Sequence, residues 1–359
     1  MRACLAVLIL GLAALPAAAQ QPLPDAGYRK LNAALVDSHI LPRTQALAAA
    51  TQALAGALDT ACATPGAGPD AARPAFLAAM DAWQDVAHVR FGPVEKDDRL
   101  FRFSFWPDPR NTAGRQIGDL LRMAATEPLP ATVFAEGRAA AQGFPALERV
   151  LYEEAGGPAA RCRVAQAMGR NLAAMSRAVD GEWRQGTPPF RAVIEDAGAP
   201  GSPFPDARWA TLEFMKAINA AIEPTEERKL LAPLGSGAAD ARPRATESWR
   251  SGHSLENIRH NVDAAAHLYR GGDGYGFDDF LRGPGGAAAA EAKIAAAFAR
   301  AQAAAGALAV PLEDAVASEA IRPAVFQLFI ALQDLRSTLI QTLPEALHLP
   351  VGFNSMDGD

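Results

Sequence analysis

The chain has 359 residues, of which 50% are hydrophobic and 21% charged, with a formal net charge of −6. That length suits about two domains with a sizeable core. Nothing in this acidic balance suggests a sequence-independent nucleic-acid binder, which would need a basic face.

The N-terminus, MRACLAVLILGLAALPAAAQ, has one early positive charge, an apolar run from Ala3 to Leu15 and an A-x-A pattern at Ala17 and Ala19. It predicts a signal peptide over residues 1–19, the run being too short to span a bilayer. No cysteine sits at the cleavage point, Cys4 lying well upstream. The mature protein is therefore expected in the periplasm or cell envelope, without a transmembrane anchor. Two cysteines remain, Cys62 and Cys162. An isolated pair in an oxidising compartment is more often bridged than free, so a disulfide is expected, with two buried thiols as the alternative.

Residues 28–62 place apolar side chains three and four apart, with Pro42 expected to break the helix. Residues 69–90 follow, with Phe76, Met80, Trp83 and Ala87 on one face, and helical patterns recur over 132–143, 144–154 and 160–186. Pro and Gly concentrate between Asp196 and Ala207, which predicts a boundary there. The second half repeats the style over 208–224, 254–272, 287–308 and 318–344. The expectation is an all-α chain of two packed helical-bundle domains, residues 23–196 and 207–349, followed by a tail over 350–359. Equal halves are compatible with an ancient duplication, although no clear repeat is visible.

The stretch GFPALERVLYEE, Gly143 to Glu154, opens like a helix built to hold a metal. A histidine three residues before Glu148 would share its helical face, but Pro145 stands there. Pro145 suits a first helical turn, and Glu148 reads either as a charge helping to start the helix or as a pocket-lining acceptor. Alone it cannot hold an ion, which needs three or four protein ligands. Further on, His253, Glu256, His260, Asp263 and His267 recur at steps of three and four. His253, Glu256 and His260 could seat a metal. Leu255, Ile258, Val262 and Ala265 lie roughly 200° around the same helix, so the apolar stripe is expected to face the core and the histidine stripe to face outward.

The loop FWPDPRN carries Trp106, Asp108 and Arg110 between prolines. It reads equally as a stiffened binding edge or as a core anchor whose Asp108 caps the next helix. Asp357 and Asp359 are weak candidates for a hard cation, and GGDGYGFDDF lacks the ligand order of a calcium loop. There is no H-E-x-x-H helix, G-x-S-x-G elbow or phosphate loop.

Five stretches in order, LVDSHILPRTQALA, FWPDPRNTAGRQIGDLL, GFPALERVLY, WRSGHSLENIRHN and LPVGFNSMDGD, together make the chain resemble the imelysin-like family of exported bacterial proteins. The resemblance implies a two-domain helical fold with a G-x-H-x-x-E segment near the domain contact. It also implies a link to iron regulation or uptake, and the family was first classed among peptidases. Gly143 and Glu148 match the segment, while Pro145 replaces its histidine. No cofactor is therefore expected, and iron or another divalent metal is not supported at that motif. The matching segments imply a cleft lined by Trp106, Asp108, Arg110, Glu148, Arg250 and Ser251. The expected function is a non-catalytic binding protein in iron or metal homeostasis that takes an unknown small ligand or an envelope protein partner. The alternative is a metal-dependent peptidase of the imelysin type.

Overall fold

A computed structural model describes residues 23–130, 132–134 and 137–349; the expected signal peptide and the 350–359 tail lie outside the described residues. Helices α1 (Asp25–Leu35), α2 (Leu41–Ala61), α3 (Arg73–Gln84), α4 (Arg99–Phe103), α5 (Thr112–Thr126), α6 (Phe144–Tyr152), α7 (Pro158–Arg184) and α8 (Phe190–Glu195) occupy the first half. The second holds α9 (Ala207–Pro224), α10 (Ala232–Leu234), α11 (Ser254–Arg270), α12 (Phe277–Arg282), α13 (Ala288–Ala307), α14 (Leu312–Ala317) and α15 (Arg322–Ala346). No strand occurs among the described residues.

In the first group α2 lies along α7, with α3, α5 and α6 around them; in the second α13 pairs with α15 and α11 with α9. The stripe Phe76, Met80 and Trp83 is buried as its spacing predicts. Trp83 stacks on Phe103 at 4.7 Å between ring centres, which fixes short α4 against α3. Cys62, at the end of α2, is bonded to Cys162 in the first turns of α7. The disulfide thus fastens the two most extensively packed helices at one end. In the Pro/Gly-rich segment, Asp206 caps α9 by accepting hydrogen bonds from the backbone N–H groups of Arg208 and Trp209, as first-turn donors require.

Pro42 does not break the first helix. The chain runs from α1 into α2 through a π-helical turn, Val36–Ile40, and Pro42 enters as the second residue of α2. Widening one turn accommodates a ring that an unbroken α-helix would exclude. The same device precedes Pro233, where a π-helical stretch, Thr225–Leu231, joins α9 to α10 and Pro233 enters as the second residue of α10. Without a break, the run from Asp25 to Ala61 is about 55 Å long and reaches both helix groups. Its α1 end packs on α9 and α12: the Tyr28 hydroxyl donates to the Leu347 carbonyl at 2.7 Å, and the Asn32 amide to the Ala207 carbonyl at 2.8 Å.

The helix expected over 132–143 does not form. Of its described residues, Gly137 and Arg138 both have positive φ and only Ala139–Ala141 makes a short 3₁₀ turn. Two successive left-handed residues end any right-handed run.

Candidate functional site: a polar pocket between the helix groups

The Gly143–Glu148 motif is a seam, and its parts have structural explanations. A Cβ on Gly143 would stand 2.1 Å from the Phe103 carbonyl oxygen, so only glycine lets α6 begin against α4. Pro145 is the second residue of α6, where a missing N–H costs little. Glu148 is 2% exposed. Its Oε1 accepts from the Ser251 backbone N–H at 2.9 Å and from the Ser251 hydroxyl at 2.7 Å. Burial pushes this carboxyl above its usual value; the Ser251 hydrogen bonds and the Arg250 charge oppose the rise, and Glu247 adds to it. Arg250 lies over the Trp249 ring and donates to Glu153 at 2.5 Å. The donor set therefore does not fit a metal: Pro145 brings no donor, the carboxylate is met by two protein donors, and the Arg250 charge already acts on it. Among the described residues, no group of three His, Cys, Asp or Glu side chains is placed to hold an ion.

The expected cleft residues separate into three places. Glu148, Arg250 and Ser251 form the seam. Asp108 is a cap, accepting from the Thr112 and Ala113 N–H groups at 2.8 Å each, and neighbouring Arg110 is exposed. Trp106 alone lines the pocket described below.

The histidine stripe of α11 does not face outward. Leu255, Ile258, Val262 and Ala265 are buried as expected, but His253, His260 and His267 form a second, half-buried face against α3 and the first π-helical turn, while Asp263 stays exposed. His253 Nε2 lies 2.6 Å from Asp81 Oδ1, and His260 Nδ1 lies 2.8 Å from Asp85 Oδ1. The hydrogen bond to Asp85, together with the charges of Asp85, Asp81 and Glu256, raises the His260 pKa against the opposing effect of burial. Glu256 leaves this face and pairs with Arg259, so the His253, Glu256 and His260 set does not converge. A helix packed on two sides covers one face by apolar contact and the other by hydrogen bonding, and sequence periodicity detects only the first.

At the end of this face three imidazoles form a chain. His39 Nδ1 is 3.1 Å from His267 Nδ1, and His39 Nε2 is 2.9 Å from His88 Nε2. The contacts use opposite edges of His39, so the rings cannot share one ion. His39 and His88 are 0% and 2% exposed. Burial, then the charges of Arg43, Arg90 and His267, holds His88 down to about 3; burial, then His88, Arg43 and His267, likewise holds His39 well below normal. Gly272 closes over the outer ring: its φ is +59°, and a Cβ there would lie 2.4 Å from His267 Cε1.

His88 also lines a pocket of about 340 Å³ between the helix groups, with Trp83, Gln84, Arg90, Phe101 and Trp106 from the first half and Arg228, Lys229, Glu247 and Asn261 from the second. Its floor is a buried ion pair, Lys229 Nζ to Glu247 Oε2 at 2.6 Å. Lys229 also donates to Gln84 Oε1 at 2.9 Å and Asn261 Oδ1 at 2.6 Å, so its three N–H donors are used. Burial lowers the Lys229 pKa, and Glu247 opposes the shift. Asn257 donates to Glu247 and to the Ser248 hydroxyl, linking the floor to the Ser251 loop. Sequence reading missed this floor because its members lie on four separate segments. Pro224 and Pro233 flank the π-helical stretch that carries Arg228 and Lys229, but neither marks it as part of a pocket.

The described residues form an all-α protein with a polar pocket between two groups of helices. The chain belongs to the imelysin family, whose model matches residues 40–339. Iron-regulated protein A of Synechococcus elongatus is 25% identical over 239 residues, or 66% of this chain; the match spans 62% of that protein's length. An imelysin-like protein of Psychrobacter arcticum has a TM-score of 0.76 at 18% identity, over 93% of this chain and 100% of that one. A putative iron-regulated protein A precursor of Parabacteroides distasonis has a TM-score of 0.76 at 14% identity, over 93% and 98% of the two chains. These two share the fold. No helix among the described residues is long and apolar enough to cross a membrane.

Proposed function

We propose that this protein is an exported, periplasmic binding protein, without catalytic activity, that acts in iron or metal homeostasis by holding a small ligand between its two bundles. The observation that carries the reading is the pocket. Its walls come from both halves, its floor is a buried hydrogen-bonded ion pair, and its volume of about 340 Å³ falls in the range of small-molecule sites. The iron link rests on membership of the imelysin family and on likeness to an iron-regulated protein. Export rests on the signal-like N-terminus and is supported by the disulfide.

The test is titration of chelator-treated protein with ferrous, ferric and zinc ions alongside a small-molecule screen read by thermal shift. Ligand stabilisation abolished by substitutions in the pocket, without tight metal binding, supports the reading. Stoichiometric metal binding lost in Glu148→Ala would overturn its metal-free part. Chelator-sensitive cleavage of an unfolded substrate, lost on changing His253 or Glu256, would establish the peptidase alternative instead.

A further inference from the structure

Arg90 and Arg228 both line the pocket and are exposed. Neither has a hydrogen-bond or ion-pair partner among the described residues, although most other arginines in the chain are engaged with carboxylates or carbonyls. Surrounding protein and then the Arg228 charge disfavour the protonated form of Arg90, with Glu223 opposing. Glu223 is itself taken by Arg336 at 2.9 Å. Two neighbouring guanidiniums without a protein counter-ion repel each other, and their planar forks match an oxyanion.

Beside them stand two aromatic rings with little to cover them. Phe101 is 61% exposed and Trp106 is half-buried, and neither stacks on another ring among the described residues. Rings left uncovered at a pocket wall offer faces to a flat ligand.

The third feature is His88, whose Nδ1 is buried without a partner. With all three rings neutral, the imidazole chain has two arrangements. In one, His88 Nε2 donates to His39, His39 Nδ1 donates to His267, and His88 Nδ1 is a bare lone pair. In the other, His267 Nδ1 donates to His39, His39 Nε2 donates to His88, and His88 Nδ1 carries the proton. Each arrangement holds three ring protons, so changing between them alters no net charge. An unpartnered buried acceptor is less costly than an unpartnered buried N–H, so the protein groups alone favour the first. An anion at this wall favours the second.

From this juxtaposition we propose that the pocket takes a small carboxylate carrying a flat aromatic ring, its carboxylate between Arg90 and Arg228 and its ring against Trp106 and Phe101. The assignment rests on reading the pocket as a ligand site and adds the chemical class. The approach of the anion turns His88 Nδ1 into a donor, with the compensating loss of a proton from Nε2 of His267 at the outer end of the chain.

The test is calorimetric titration of the full chain with naphthalene-2-carboxylate, the neutral naphthalene-2-carboxamide, the ring-free butanoate and inorganic phosphate. The naphthoate should bind at least tenfold more tightly than the other three, and Arg90→Gln and Arg228→Gln should each weaken it tenfold or more while leaving the melting temperature unchanged. In ¹⁵N spectra of the imidazoles, His88 should change tautomer on saturation. Equal affinity for acid and amide, or indifference to both substitutions, overturns the anion assignment while leaving the pocket as a ligand site. Phosphate binding as tightly as the naphthoate overturns the aromatic part. If none of these probes, nor a neutral and cationic fragment set, perturbs Trp106, the binding reading itself fails.

Discussion

Lys229 Nζ lies 2.6 Å from Glu247 Oε2, with both side chains under 10% exposed and each carried by a different loop or turn. Taking two charges out of water is expensive, and here the cost is offset by close approach and by amide partners for the remaining valences. Lys229→Met should cost about 3–5 kcal/mol, because it strands a buried carboxylate. Lys229→Met with Glu247→Leu should recover most of the loss. Urea denaturation at neutral pH reads both; a double variant no more stable than the single one would show that packing, and not the charge, sets the effect.

Glu148 acts as an acceptor for Ser251. Glu148→Gln keeps an acceptor oxygen and should change stability by less than about 1 kcal/mol, whereas Glu148→Ala leaves the Ser251 backbone N–H unpaired at roughly 1–3 kcal/mol, its hydroxyl retaining the Ser248 carbonyl at 3.1 Å. Thermal melts of the two variants separate the roles. Equal losses would mean that the negative charge matters more than the hydrogen bonds.

His88 makes the fold sensitive to acid. Its pKa is about 3 in the folded protein against 6.5 as the ordinary value. Above pH 6.5 it is neutral in both states and carries no penalty. As the pH falls below 6.5 the unfolded chain gains a proton that the native ring refuses, so stability declines, by about 2 kcal/mol at pH 5. His260 has the opposite sign: its pKa is raised by Asp85, so its contribution is present below 6.5 and disappears as the pH rises through its folded value. Denaturation midpoints between pH 7 and 4 should fall less steeply in His88→Gln than in the parent, by up to about 1.4 kcal/mol per pH unit. Parallel profiles would contradict the burial of a neutral ring.

The Cys62–Cys162 bond closes a separation of 100 residues. The chain-entropy account gives it about 4–5 kcal/mol through the unfolded state. Replacing both cysteines by serine should lower stability by an amount of that order, and adding a reductant should then change nothing further. A negligible loss would mean that α2 and α7 are held by packing alone.

Much of the fold was legible in short windows. The apolar stripe of α11 and the Phe76–Met80–Trp83 face both follow from three- and four-residue spacing. Pro42 was misread because a proline in a helical pattern signals a break, while a π-helical turn absorbs it with no local sequence marker. The outward-facing histidine stripe failed for a related reason: nothing in the α11 sequence reveals that Asp81 and Asp85 come to meet it. The cleft was legible only in part. Trp106 lines the pocket, and Glu148 belongs to the neighbouring seam.

The sequence by itself determined where most of the longer helices run, the apolar face they bury and which two cysteines could meet, because hydrogen-bond periodicity acts within a few residues. Tertiary packing decided the site. His39 meets His267 across 228 positions and Gln84 meets Glu247 across 163. Whether such polar groups end buried together or apart depends on how the helices cross, and no local pattern carries that information.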